Sequence, residues 1–358
     1  MVPFPPIVIP AGASPAALPQ GSAVYLIWPR DGQPHLGRTG ILRRRIERLQ
    51  AKWKLAEIGD RIEIWPTASR LEQWLVSYEI ARAHFPDAYE RVLRLPKPAY
   101  VKLILSNAFP RTQVTTRMAG ASSVFFGPFS NRGSAELFEG QFLDLYQLRR
   151  CQEDLTPAPD HPGCIYGEMR RCLRPCQQEV TAEEYASEAE RVRQFLVTRG
   201  KALLDSTAAA RDRYSADLHF EEAAREHERH ERVEQVVRLA GDLAADVSRL
   251  NGVAVTRSAE PDTVLLWFLR EGCWLRRRAL FAGPSPGKPV SLDSRLRELL
   301  ASLDAPRPSL SLRQDHLALL YKWYYSSWRD GEWIGFPGFD SVPFRKIVNA
   351  IGRTLTRR

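Results

Sequence analysis

Apolar residues along this chain alternate between short β-prone runs and longer stretches with helical spacing. Ala23-Val24-Tyr25-Leu26-Ile27-Trp28 is a continuous run of strand formers, closed by the turn chemistry of Pro29-Arg30-Asp31-Gly32. His35-Leu36-Gly37-Arg38 reads as a second short strand, and 41–55 carries Ile41, Leu42, Ile46 and Leu49 on one side of a helix. Arg61-Ile62-Glu63-Ile64-Trp65 returns to the strand pattern, and 70–85 to the helical one, which Pro86 stops. The N-terminal part is therefore expected to be a β-β-α-β-α module.

Two further strands are expected at 100–105 and 113–118, a loop at 125–129 and a helix at 134–148. Residues 182–240, rich in Ala, Glu and Arg, keep a helical period broken near 214–217, which predicts a helical hairpin. A β-rich stretch at 253–281 precedes a Pro/Gly/Ser linker, 283–289, and a tail holding Tyr321, Trp323, Tyr324, Tyr325, Trp328 and Trp333. A small local core for these aromatics is favoured over stacking on bases. The expected fold is α+β and multidomain: a proline-rich leader (1–20), the first module (21–98), a cysteine-bearing middle region (99–181), the hairpin (182–240), a β-rich segment (241–282), and a linker with aromatic tail (283–358).

At 358 residues the chain is long enough for two or three cores, and 44% hydrophobic with 26% charged residues is ordinary for a globular protein. No apolar run approaches the roughly 18 residues of a membrane span. The first twenty residues hold six prolines and no Lys or Arg, unlike a signal peptide, so a cytoplasmic location is expected. The charge changes the picture more. An excess of 51 Lys and Arg over 42 Asp and Glu, with arginines grouped at Arg43-Arg44-Arg45, Arg170-Arg171 with Arg174, and Arg276-Arg277-Arg278, points to a polyanion such as a nucleic acid, with a basic surface that has no such partner as the alternative.

Four of the five cysteines fall within 26 residues, as Cys151-x12-Cys164-x7-Cys172-x3-Cys176. In a reducing compartment this density favours a thiolate-bound metal over disulfides. Paired Cys-x-x-Cys units typical of structural zinc are absent, so an iron–sulfur cluster is favoured, with zinc or no metal as alternatives. Cys273 stands alone and reads as a small buried hydrophobe.

These residues carry a family resemblance. Ala23-Val24-Tyr25, His35-Leu36-Gly37 and Arg43-Arg44-Arg45 resemble a GIY-YIG nuclease module. The run from Tyr100 through Phe109-Pro110-Arg111 to Phe126-Gly127-Pro128-Phe129, and Cys172-Leu173-Arg174-Pro175-Cys176, resemble the UvrC excinuclease subunit of bacterial nucleotide excision repair. Leu218-His219-Phe220-Glu221-Glu222-Ala223-Ala224 is similar to that family's UVR motif, which docks on the helicase UvrB, and 251–281 is similar to the entry to the family's second half. The resemblance implies a 4Fe-4S cluster at the four cysteines. It also implies a UvrB-like partner held through Leu218, Phe220, Ala223 and Ala224; DNA contacts by Arg43, Arg44 and Arg45 are expected from the arginine grouping. The stretch after 282 is short for the family's RNase H-like and helix-hairpin-helix half, so that half is expected to be lacking, and the tail shows no spaced carboxylates for a two-metal nuclease.

GIY-YIG cleavage needs a base, a cation for the developing charge, and a carboxylate for one Mg²⁺ or Mn²⁺. The resemblance places Tyr25 at the first motif tyrosine, His35 at the second, Arg38 at the usual lysine and Arg45 at the helix arginine. Ser77 falls where the metal-binding glutamate belongs. On helical geometry Glu72 and Glu79 lie about 140° and 200° round from it. The centre is therefore expected to be inactive and the protein to bind DNA without cutting it. The rival expectations are an endonuclease making one incision through His35, Arg45 and a displaced carboxylate, and a protein-interaction module working through the hairpin alone. His227 and His230 sit among Glu226, Glu228, Arg229 and Glu231 and read as a solvated helix face.

Overall fold

The computed structural model describes residues 5–120, 122–283, 290–303 and 309–356. The expected linker lies almost wholly outside them. The architecture is α+β, with three antiparallel sheets among the described residues, and the chain divides into two compact units. The first unit comprises 1–96, 251–307 and 318–358, and the second 97–250 with 308–317. No helix of the described residues is long and apolar enough to cross a membrane.

In the first unit, strands β1 (Ile7–Pro10), β2 (Ser22–Pro29), β3 (His35–Thr39) and β4 (Gly59–Thr67) form a sheet in the order β1-β4-β2-β3. The residues 23–27 of β2 are all buried, as a central strand with strand-forming residues on both faces requires. Helix α1 (Leu42–Trp53) turns Leu42, Ile46 and Leu49 to the core, ends at Lys54 in the left-handed region, and is followed by the single turn α2 (Leu55–Ile58). Helix α3 (Arg70–His84) is capped by Ser69, whose hydroxyl accepts the Glu72 N–H, and the short α4 (Tyr89–Leu93) follows Pro86. Strand β1 arises inside the proline-rich leader, where only Ile7, Val8 and Ile9 signal it. Its edge position tolerates Pro10.

In the second unit, β5 (Ala99–Ile104), β6 (Arg111–Thr115), β7 (Ser123–Phe129) and β8 (Ala245–Asp246) form a sheet in the order β6-β5-β7-β8. The segment expected as a loop at 125–129 belongs to β7, because Val124, Phe125 and Phe126 pair with β5. Helices α5 (Arg132–Leu143), α6 (Ile165–Glu168), α7 (Ala182–Thr198), α8 (Lys201–Ala216) and α9 (Phe220–Leu239) complete the unit. The core is aromatic: Phe138 stacks on Phe126 and Phe142 with ring centroids 5.0 and 5.7 Å apart, and Phe195 meets Phe142 at 5.1 Å.

The chain then returns to the first unit. Strands β9 (Asn251–Arg257), β10 (Thr263–Arg270), β11 (Cys273–Trp274), β12 (Arg278–Phe281) and β13 (Glu332–Phe336) form the third sheet. Helices α10 (Leu292–Ala301) and α12 (Phe344–Thr356) accompany it, as does the part of α11 (Leu310–Tyr324) from 318 on, and Ile347 and Ile351 of α12 share one core with Val253 and Phe268. Strand β13 pairs with β9 across some 80 residues of sequence, so the tail is structural. Trp323 is fully buried within it, and Cys273 is buried in the small strand β11.

This C-terminal segment explains a property of α3 that its sequence pattern does not. Every residue from 71 to 78 is buried, on both faces of the helix. One face lies on the first sheet. The other meets the C-terminal segment, through an Arg277–Glu72 ion pair, the Arg70 N–H donated to Asp330 at 2.5 Å, and Lys322 over the Trp74 ring.

Candidate functional site

Tyr25 lies on the central strand of the first sheet, fully buried, with Gly37 directly across the β2–β3 pair. A side chain at 37 would place its Cβ 2.2 Å from Tyr25 Cζ, so glycine there is the condition for the tyrosine ring to lie flat across β3. Arg45 on α1 donates from Nε to Tyr25 Oη at 2.9 Å. His35 stands nearby, its ring centroid 6.3 Å from Tyr25 and 4.8 Å from Trp53. Burial and then the Arg45 charge push its imidazole below the ordinary value, so it is neutral at physiological pH and able to accept a proton. The Arg38 guanidinium lies 3.3 Å over the Trp74 ring; burial and the Arg70 charge lower its pKa to about 10, which leaves it cationic.

The carboxylates of α3 face elsewhere. Ser77 is buried and donates its hydroxyl to the Gln73 carbonyl at 2.6 Å, and Gln73 reaches the Thr39 carbonyl at 2.8 Å, tying this face of α3 to the end of β3. Glu72 and Glu79, seven residues apart, share another face. Glu72 accepts the Ala68 N–H at 2.8 Å and pairs with Arg277. Glu79 keeps one carboxylate oxygen buried without a hydrogen-bond partner; burial raises its pKa, opposed by the charges of Arg276 and Arg277. Tyr25, His35 and Arg45 therefore come together, whereas the α3 carboxylates turn to the arginines of the C-terminal segment.

Of the arginine run, Arg43 donates to the Leu18 carbonyl at 2.8 Å and Arg45 holds Tyr25, which leaves Arg44 outward. Adjacent residues on a helix diverge by about 100°, so a run of three never forms one cationic face. The outward stripe is Arg44, Arg48 and Lys52, at intervals of four, exposed and without ion-pair partners among the described residues. The sequence carries that signal as basic residues at i, i+4 and i+8, a helical spacing that the adjacent triplet 43–45 lacks.

In the second unit the four cysteines bring one another within electrostatic reach. Burial, with the neighbouring Cys151, Cys164 and Cys176 adding to it, pushes the Cys172 thiol up to about 11. Cys151 Sγ receives a buried Arg149 guanidinium N–H and Cys172 Sγ the Arg174 N–H, both at 3.4 Å. Among the described residues no three His, Cys, Asp or Glu side chains are gathered closely enough to hold a metal ion. As a donor set, four thiols with N–H groups already aimed at two sulfurs suit a thiophilic centre in kind.

On the hairpin, Leu218 and Phe220 are 72% and 65% exposed at the turn between α8 and α9, Ala224 is exposed, and Ala223 is buried. His230 hydrogen-bonds Thr207 across the two helices at 2.9 Å and His227 faces Glu231, so neither gathers further metal ligands.

Residues 99–195 match the family model of the UvrC/Cho excinuclease middle domain. The UvrABC system protein C of Moorella thermoacetica is 28% identical over 284 residues, 76% of this chain and 45% of that protein. Those of Lachnospira eligens and Salmonella agona are 24% and 27% identical over 73% of this chain, covering 44% and 42% of their own lengths. The chain thus spans less than half the length of these relatives. No solved structure matches it.

Proposed function

As the chain is a distant relative of the UvrC proteins and carries their middle domain, we propose that it is a DNA-binding protein of nucleotide excision repair in the cytoplasm, with a GIY-YIG-like centre that does not cut. The observation that carries this reading is the division of labour on α3. The Tyr25–Arg45 hydrogen bond keeps the nuclease-like scaffold, while Glu72 and Glu79 face Arg276 and Arg277 and supply no anionic ligand to it. A divalent ion such as Mg²⁺ or Mn²⁺ prefers anionic oxygen, which Ser77 and Gln73 do not offer. The second reading, a single-incision endonuclease, draws on the neutral His35 imidazole beside Tyr25 and Arg45.

DNA would meet the α1 stripe of Arg44, Arg48 and Lys52. The test is binding of a duplex over a range of salt. Removing one phosphate-neutralising side chain should lower the slope of log affinity against log salt by about 0.9. Arg44→Ala with Arg48→Ala and Lys52→Ala, which leaves Arg43 and Arg45 in their structural bonds, should lower it by about 2–3. An unchanged slope rejects α1 as the DNA face.

Cys151, Cys164, Cys172 and Cys176 would hold a 4Fe-4S cluster, or zinc in its place, which supplies a covalent cross-link to a segment poor in secondary structure. Protein purified without oxygen should be brown with stoichiometric iron; stoichiometric zinc and no iron selects the alternative. The exposed Leu218, Phe220 and Ala224 would offer an apolar edge to a helical pair of a UvrB-like helicase, whereas Ala223, expected to share in it, is buried and not available to a partner.

A further inference from the structure

The geometry points to a binding site for a phosphate monoester in a cleft of the first unit, formed by Ser69, Arg257, Arg329, Asp330, Gly331 and Thr354 and apart from the Tyr25 centre. The cleft has a volume of about 390 Å³. Its walls come from four elements: the capping residue of α3, the end of β9, the loop before β13 and the last turn of α12. Gly331 makes that convergence possible. Its φ is +105° and a Cβ there would stand 2.4 Å from the Val255 carbonyl oxygen, so only glycine lets the loop close on β9 and bring residues 329 and 330 into the cleft.

Charge then selects the ligand. Asp330, the one acidic residue of the lining, is already engaged: Oδ2 accepts the Arg70 N–H at 2.5 Å and Oδ1 accepts Trp323 Nε1–H at 3.2 Å. Its charge is thereby directed at the start of α3 and the Trp323 indole. Neither Arg257 nor Arg329 has a carboxylate partner among the described residues, and the Arg329 guanidinium lies over the Tyr324 ring, 4.8 Å from its centroid. Two hydroxyls complete the lining. Thr354 is 4% exposed and its hydroxyl makes no hydrogen bond among the described residues, and Ser69, equally buried, accepts the Glu72 N–H and retains its own proton to donate. Two guanidinia and two buried O–H donors suit a dianionic tetrahedral oxyanion, which takes forked N–H donors and short O–H donors together. A phosphodiester carries half that charge, so a terminal phosphate or a free one is the better match.

The source is decided by experiment on the full chain. Three probes are compared: a single-stranded oligonucleotide with a terminal phosphate, the same strand ending in hydroxyls, and inorganic phosphate read by calorimetry and thermal shift. The phosphorylated strand is expected to bind about tenfold more tightly than the hydroxyl strand. Arg257→Ala with Arg329→Ala should erase that difference, and Thr354→Val should reduce it. A response to inorganic phosphate that the double variant loses, without discrimination between strands, assigns the site to a free phosphate. Equal binding of both strands with no phosphate response overturns the proposal, as does discrimination that survives the double variant. The site does not depend on the α1 stripe: absence of duplex binding by the unaltered protein, with phosphate recognition intact, would reject the proposed function and leave this inference standing.

Discussion

Arg277→Ala is expected to destabilise the first unit by about 3–5 kcal/mol at neutral pH, whereas Glu72→Gln should cost far less. The asymmetry follows from where each partner sits. The Glu72 side chain is 3% exposed and that of Arg277 31%, so removing the arginine strands a buried carboxylate, while removing the glutamate leaves a guanidinium that can turn to water. The penalty should depend on pH. Burial raises the Glu72 pKa above its ordinary value, and the Ala68 N–H and Arg277 oppose that rise. A carboxyl whose folded pKa is raised binds more protons folded than unfolded between the two values, so stability is fully present below the ordinary carboxyl range and falls as pH climbs through that window. Without Arg277 the folded pKa rises further and the window extends upward. Urea unfolding at pH 7.5 and pH 5.5 should therefore show the gap between wild type and Arg277→Ala narrowing on acidification. A gap that stays constant would show that Glu72 does not bear the lost interaction.

That ion pair also marks how far local sequence reasoning reaches. The strands and helices of the first module follow from hydrophobic spacing between 22 and 84, since each is built from neighbours in sequence. What covers α3 does not. Its second face is buried by residues about 200 to 260 positions away, and no periodicity within 70–84 announces them. The same holds for the phosphate cleft, whose residues are single positions from four distant elements. The four cysteines between 151 and 176 lie in one short segment, so their nearness is within reach of local reading in a way that the cover of α3 is not. The edge strand β1 and the aromatic strand β7 were obscured by their prolines and Gly127, residues that weaken a strand reading although an edge or the end of a strand tolerates them.

With Mg²⁺ or Mn²⁺, the unaltered protein should leave damaged and branched duplexes uncut, and Ser77→Glu, alone or with His35→Tyr, should gain metal-dependent nicking. Tyr25 and Arg45 already hold each other at 2.9 Å over Gly37, so the variant supplies the missing anionic ligand without rebuilding the scaffold. Ser77 is 2% exposed, and a carboxylate buried there without a cation is costly. The variant should accordingly melt below the wild type in chelator and regain stability with Mn²⁺, a response that reports metal binding independently of cleavage. In the gain-of-function background, Arg45→Ala should cut nicking by on the order of 10²–10³-fold, as expected for loss of a group that stabilises developing charge. The opposite result is equally plain. Robust incision by the unaltered protein, abolished by Arg45→Ala, would mean that a metal is held without the α3 carboxylates and that His35 serves as the base, and the endonuclease reading would replace the one proposed.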